Sequence, residues 1–353
     1  MDTSKVASSE DSPGVEDGSP DTMRAVVMKE AGDAEVLRVA ELPAPHAGAG
    51  EVRISVNAAT VNAGDLLLRQ GGGPSVVEIL GMDAAGIIDE IGPGTTTDLK
   101  LGDRVMAFVQ PLRPAGGAYA QKVVLPANWV VQAPQGTSDV EASTLPMNGL
   151  TAMLAIDTLA LSPGETVAVT GAAGGLGGYV VQLAHIAGLR VIADAAPADV
   201  DLVRSLGADI VVARGDAFAA QVREHVPAGV DGLVDTAVVG AAALGAIRDN
   251  GILVNVRPSA GPGSAPLHPE RGIDFRLISV ADYGGRQDKL EQLRRHVEHG
   301  RLTLRVAATF SPEHAAQAHR RLEAGGTRGR LVIDFSEAAG PRSSDVTIPA
   351  VNR

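Results

Sequence analysis

The chain contains no cysteine. That absence excludes disulfides, thiol catalysis and every cysteine-based zinc site. It fits a reducing compartment, and a cytoplasmic location is the expectation. Long apolar runs are missing as well. A membrane span needs roughly 18 or more apolar residues, and the best stretch, Gly232 to Ile247, carries Asp235 in its middle. The N-terminus shows no basic region followed by an apolar stretch, so no secretory signal is expected. Positive charge is in deficit: 30 Lys and Arg stand against 42 Asp and Glu, a net charge of −12. This argues against non-specific nucleic-acid binding.

What remains is a chain of 353 residues, 45% hydrophobic and 20% charged. The composition is that of a soluble globular protein, and the length calls for two domains of about 100–200 residues. Residues 1–22 carry six acids (Asp2, Glu10, Asp11, Glu16, Asp17, Asp21) against Lys5, −5 in all, with almost nothing to bury. Disorder is expected there, and in a second loose tail over 336–353.

From Met23 to about Pro146 the pattern is short strands and frequent turns. Arg24–Met28, Glu51–Val56, Ala85–Ile91, a turn at 101–103 leading into a strand that ends at Phe108, and Ala118–Leu125 read as strands of a small curved β domain over 23–147. The rhythm then changes. A helical stretch at Gly149–Leu161 precedes a short buried strand, Thr166–Thr170. Further strands are expected at Arg190–Ala193, Asp209–Ala213, Gly232–Thr236, Ile252–Val256 and Arg276–Val280. Six strands with crossovers imply a parallel, doubly wound sheet over 148–283. Amphipathic helices at Gln287–Gly300 and Pro312–Ala324 and a last strand at Arg330–Phe335 do not continue that alternation. They are expected to rejoin the first domain over 284–335.

Gly171-Ala172-Ala173-Gly174-Gly175-Leu176-Gly177 follows the strand at 166–170 and opens the next helix. Glycines there permit a tight turn and let backbone N–H groups approach a pyrophosphate at a helix N-terminus. Asp194 stands 23 residues after Gly171, at the end of the second strand, where an acid binds a ribose 2′-hydroxyl and repels a 2′-phosphate. Arg214 follows the third strand and can reach the same region as a phosphate ligand. Either residue can instead be merely solvated.

These segments resemble the zinc-independent branch of the medium-chain dehydrogenase/reductase superfamily, near quinone oxidoreductases and zeta-crystallin. The likeness runs from Met23 to Phe335 and comes in order: Val61-Asn62-Ala63-Gly64-Asp65 with Arg69, Gly81-Met82-Asp83-Ala84-Ala85-Gly86, Gly102-Asp103-Arg104-Val105, Gly117-Ala118-Tyr119-Ala120, Gly149-Leu150-Thr151-Ala152, the glycine loop with Gln182, Leu206-Gly207-Ala208-Asp209 and Gly329-Arg330-Leu331-Val332. The resemblance implies a GroES-like β domain split by an inserted Rossmann domain, a nicotinamide cofactor in the cleft between them, a homodimer, and hydride transfer to a quinone or an activated C=C bond. It also implies that Asn62, Thr151, Val256, Arg257 and Arg330 lie at the cofactor.

The zinc-dependent members of that superfamily carry a Cys in the segment matched by Asn62–Asp65 and a His in that matched by Gly81–Asp83. Here Asn62 and Met82 stand instead, so no metal is expected. His296 and His299 read as a solvated helix face. Other departures bear on chemistry. Two tyrosines of the quinone-reducing relatives are matched by Leu67 and Leu68, which carry no proton. Their 2′-phosphate Ser and Lys are matched by Ala196 and Asp199. NADP(H) is favoured, with NAD(H) possible. Where relatives have a glycine after the fifth strand, this chain has Arg257 followed by Pro258; that cation either binds an anionic substrate group or, as favoured, faces solvent or serves structure. Asn62 could orient substrate or nicotinamide. Asp65 could join a proton relay or cap backbone N–H groups. The expected function is NAD(P)H-dependent reduction of a small molecule, a quinone or α,β-unsaturated carbonyl, with no nucleic-acid or membrane partner. A biosynthetic tailoring enzyme and a non-catalytic dinucleotide-binding protein are the alternatives.

Overall fold

The computed structural model describes residues 21–71, 73, 76–257 and 270–336. Of the tails expected over 1–22 and 336–353, residues 1–20 and 337–353 lie outside the described residues, as does Pro258. Asp21 and Thr22, assigned to the tail in the sequence, already belong to the β domain. Asp21 O accepts from Ala44 N at 2.8 Å, and β1 (Thr22–Val27) pairs with β2 (Arg38–Pro43).

Polar and apolar residues alternate at the start of β3 (Glu51–Val61), which grows into the spine of an antiparallel sheet. The chain then turns through α1 (Ala63–Arg69) into β4 (Asp83–Ile91), β5 (Arg104–Phe108), β6 (Lys122–Pro126) and β7 (Val130–Gln132). One edge of β3 pairs with β4. The other is shared: residues 51–55 face β6, and residues 58–61 face a strand from the far end of the chain. Of the strand expected over Ala118–Leu125, only the second half forms. Ala118 N and Tyr119 N instead donate to Gly81 O and Leu80 O, because Gly117 packs its Cα onto the Leu80 carbonyl, where a Cβ would stand 2.2 Å from the oxygen.

Two helices, α2 (Asp139–Ala142) and α3 (Pro146–Leu159), lead to β8 (Thr166–Thr170). The alternation continues through α4 (Gly175–Ile186), β9 (Arg190–Ala195), α5 (Val200–Ser205), β10 (Ile210–Ala213), α6 (Phe218–His225), β11 (Val230–Asp235), β12 (Ile247–Asn255) and β13 (Asp274–Leu277). All six strands are parallel in the order β10-β9-β8-β11-β12-β13. That is the doubly wound Rossmann order, with its reversal between β8 and β11. Two details mark this sheet, the second a departure from the strand expected over 276–280. The β11–β12 crossover is a 3₁₀ turn over Gly240–Ala246, and the sixth strand stops at Leu277, after which Ser279 caps a 3₁₀ turn over Val280–Tyr283.

The last elements are α7 (Gln287–Glu298), β14 (Val306–Phe310), α8 (Ala315–Glu323) and β15 (Arg330–Asp334). Leu290 and Leu293 of α7 are buried with α3, where Gly149 leaves room for the Leu293 methyl. β15 pairs antiparallel with β3, and Ala315 and Ala318 of α8 enter the β-domain core. The chain is therefore a GroES-like β sheet, closed by its own C-terminus, beside a Rossmann sheet, and the two meet along a cleft.

Candidate active site

The cleft has a volume of about 850 Å³ and runs along the C-terminal edge of the parallel sheet. Its Rossmann wall is made of backbone. Gly171 has φ +69°, and Gly174 N donates to Gly171 O at 2.9 Å, closing the turn between β8 and α4. Two glycines permit close approaches. A Cβ on Gly177 would stand 2.2 Å from Gly171 O, and one on Gly175 would stand 2.7 Å from Arg330 Cδ. The first-turn amides of α4, Gly175, Leu176 and Gly177, have no intrahelical acceptor and line the cleft. Arg305 braces the loop from behind: its guanidinium donates to Ala173 O at 3.0 Å and Gly174 O at 2.6 Å. No signal in the sequence marked Arg305, which lies 131 residues from the nearer carbonyl.

The opposite wall is made of buried side chains from three distant segments. Asn62 Nδ2 donates to Asp83 Oδ2 at 2.8 Å and to Thr60 O at 3.1 Å. The Arg330 guanidinium donates to Asn62 Oδ1 and, at 3.2 Å, to Asp83 Oδ2. Asp83 Oδ1 receives Met147 N at 2.6 Å, tying this cluster to the start of α3. Burial pushes the Asp83 carboxyl up, while Arg330, Asn62 and the Met147 amide pull it down. Asn62 is thus fully engaged and 2% exposed. It positions Arg330 instead of presenting its amide to a substrate. Arg330 Nε is buried beside the cleft with no partner.

Asp65 does not reach the cleft. It is fully buried and closes the capping box of α1: its carboxylate accepts from Asn62 N and Gly81 N, each at 2.9 Å, and from Tyr119 Oη at 3.2 Å. Burial raises its pKa to about 7. Of the two roles expected for Asp65, the capping contacts are the ones its carboxylate makes, and the residue does not line the cleft. Ala172, expected at the cofactor, is buried behind the loop and is the one member of that loop absent from the cleft lining.

Asp194 and Arg214 line the end of the cleft beyond β9 and β10. Asp194 Oδ1 accepts from Ala172 N at 3.1 Å, and burial raises its pKa against that bond and the pull of Arg214. One of its oxygens therefore anchors the glycine loop. Asp199 is buried and ion-paired with Arg328, which reaches across from the loop before β15. Arg214 is exposed. The other end is lined by Val256, Arg257, Thr151 and the segment Leu277–Val280, with Leu67, Met82 and Met147 facing them. Thr151 Oγ1 donates to Met147 O at 2.7 Å, four residues back in its own helix. Leu67 is 46% exposed at the cleft, whereas Leu68 is core.

Of the residues expected at a cofactor or substrate, all but Asp65 and Ala172 line this one cleft. A nicotinamide dinucleotide fits the residues present: a loop whose glycine positions a Cβ would fill, helix amides without acceptors, and the unpartnered Arg330 Nε and Thr327 Oγ1 at its edge. No group of three or more His, Asp or Glu that could hold a metal occurs among the described residues. No helix among them is long and apolar enough to cross a membrane.

A family model described as alcohol dehydrogenase GroES-like domain matches residues 48–135, and one described as zinc-binding dehydrogenase matches residues 206–333. Polyketide synthase GfsB of Streptomyces halstedii is 32% identical over 304 residues, which is 83% of this chain and 5% of that protein. The chain thus spans a small fraction of the curated relative it matches. Among solved structures, a mycobacterial quinone oxidoreductase superposes with a TM-score of 0.76 at 29% identity, covering 88% of this chain and 99% of that one. A mycobacterial protein complexed with NADPH gives 0.80 at 29%, over 88% and 100%. An NAD-dependent alcohol dehydrogenase gives 0.79 at 31%, over 89% and 100%. With family models matching in both domains and these solved structures aligned over almost their whole length, the chain belongs to the medium-chain dehydrogenase/reductase family, an oxidoreductase on a nicotinamide-cofactor fold.

Proposed function

We propose that the protein transfers hydride, without metal, from NADPH to a quinone or an α,β-unsaturated carbonyl. The observation that carries this reading is the cleft itself. A glycine loop at the topological switch point faces a second domain, and the positions where zinc-dependent relatives carry ligands are Asn62 and Met82. The bound nicotinamide would supply the hydride. The chain's own groups do the rest. The α4 amides and the braced loop hold the pyrophosphate. Asn62, Asp83 and Arg330 fix the opposite wall, so that donor and acceptor meet in one geometry. Met82, Met147, Leu277 and Val280 exclude water around the acceptor.

No Tyr, His or Lys is among the described residues that line the cleft; its hydroxyls are Thr151 and Thr236, which donate to main-chain carbonyls, and Ser279 and Thr327, and a serine or threonine hydroxyl is too weak an acid to serve as the general acid. The proton that completes the reduction therefore comes from solvent. NADPH is favoured over NADH because Arg214 is exposed at the ribose end, while Asp199 is neutralised by Arg328 and Asp194 is partly spent on the loop. A homodimer is proposed as well, since β13 pairs only with β12 among the described residues and leaves an open sheet edge.

A second reading, enoyl reduction in a biosynthetic assembly line, is favoured by the match to GfsB. Anaerobic turnover of NADPH and NADH with a panel of quinones, enones and an enoyl thioester tests both. Quinone turnover supports the first reading and thioester turnover alone the second. Tight NADPH binding with no turnover of any acceptor sinks both.

A further inference from the structure

The two ends of the cleft carry different charge. From β10 to β12 there are four strand-to-strand steps, roughly 19 Å at the usual spacing. Arg214 follows β10 directly, and Arg257 follows β12 by two residues. Both are exposed and both line the cleft. If the ribose phosphate occupies the Arg214 end, Arg257 stands at the reacting end. The remaining lining arginines are committed elsewhere: Arg328 to Asp199, and Arg330 to Asn62 and Asp83. Both carboxylates among the described lining residues, Asp194 and Asp199, belong to the β9 end. At the Arg257 end the lining is largely apolar, with Leu67, Met82, Met147, Leu277 and Val280, and its other polar side chains, Thr151 and Ser279, are uncharged. Pockets of this kind take their specificity from a few polar groups set among apolar ones.

We propose that Arg257 is a specificity-determining residue that selects acceptors carrying a carboxylate or similar anionic group beside the reducible bond. The inference rests on the hydride-transfer reading above and names the class of acceptor within it. Hydride still passes to the acceptor carbon and a solvent proton still completes the reduction; Arg257 binds the acceptor's permanent charge and takes no part in the bond changes. A guanidinium–carboxylate contact is a charge-assisted, bidentate one. Its loss in a partly open cleft is expected to cost tenfold to a hundredfold in affinity.

The test has two arms on the full chain loaded with NADPH. In the first, benzoate and benzamide, matched in shape and not reducible, are titrated while the bound nicotinamide fluorescence is followed. Benzoate is expected to bind at least tenfold tighter than benzamide in wild type. Arg257→Gln should erase the difference, and Arg257→Lys should retain part of it. Equal binding of the two probes in wild type, or a preference that survives Arg257→Gln, overturns the proposal. In the second arm, kcat/KM is compared for naphthoquinone and naphthoquinone sulfonate. The anionic-to-neutral ratio should fall tenfold or more in Arg257→Gln, any loss common to both acceptors cancelling. A fall of equal size for both would assign Arg257 to the cofactor or to transition-state charge, and overturns it too. Discrimination between the binding probes without turnover of any acceptor would leave the anion site standing and sink the hydride-transfer reading, so the two failures are distinguishable.

Discussion

The two walls of the cleft are built from different material. The Rossmann wall is backbone: a loop that turns at Gly171, helix amides at Gly175–Gly177, and Arg305 holding the loop carbonyls from behind. The β-domain wall is a buried side-chain cluster in which Asn62, Asp83 and Arg330 bond to one another, leaving Arg330 Nε over. The first depends on what is missing, the Cβ atoms. The second depends on what is present, a charge pair taken out of water that holds its place only while every member is paired.

The sharpest way to break the comparison is to remove one member of the side-chain wall. Asp83→Ala leaves the Arg330 charge without its counter-ion, takes one of two acceptors from the Asn62 amide and leaves the Met147 amide with none. Breaking a buried pair in this way costs about 3–5 kcal/mol, read as a lowered denaturation midpoint at constant slope. An unchanged midpoint would falsify the pairing.

The matching test of the backbone wall is Gly177→Ala, whose Cβ meets a main-chain oxygen at 2.2 Å. Overpacking of this kind costs about 1–3 kcal/mol, and NADPH affinity should fall about tenfold or more as the loop moves. Gly174→Ala is the contrast, since its nearest neighbour is 3.1 Å away; it should bind NADPH several-fold better than Gly177→Ala. Similar affinities for the two would mean that loop shape is not set by the Gly177 contact.

At the ribose end both materials meet. There, Arg214→Ala should lower the NADPH-to-NADH ratio of kcat/KM by about tenfold to a hundredfold, the value of one charge-assisted contact. A ratio that does not move would shift the reading of the ribose to Asp194.

A smaller, pH-dependent effect separates the caps from the cleft. The Asp65 carboxyl is raised from 3.8 to about 7 in the fold, chiefly by burial. Its contribution to stability is therefore full below about 3.8 and lost as pH rises through about 7. His319, lowered from 6.5 to about 3 by burial, runs the opposite way and loses its contribution as pH falls below 6.5. Stability of Asp65→Asn, measured against wild type across this range, should show a deficit that is largest at the acid end and shrinks toward neutrality. A deficit that grows with pH would contradict the assignment. The smallest effect expected is from trimming residues 1–20, within about 0.5 kcal/mol, whereas trimming through Thr22 also removes the Asp21–Ala44 bond.

The backbone wall was legible because glycine is informative by itself. A run of glycines after a buried strand and before a helix admits few conformations, and the six-strand alternation around it follows from hydrophobic periodicity. Even so, Ala172 lies behind the loop and not at the cofactor side, since local pattern does not say which loop residue turns inward. The side-chain wall was only half legible. Asn62 and Arg330 were placed at the cleft by resemblance, but Asp83, which joins them, went without a role, as did Arg305 and Arg328.

The sequence alone determined the class of fold and the position of the glycine loop, because each of these is written in adjacent residues or in a regular period. Tertiary structure alone decided that the Asp65 carboxylate takes the Asn62 and Gly81 amides and the Tyr119 hydroxyl, and that Asp199 is neutralised from the other domain. Those outcomes depend on partners up to 129 residues away for Asp199 and 54 for Asp65. A side chain's charge and reach are set by what the fold brings within a few ångströms of it.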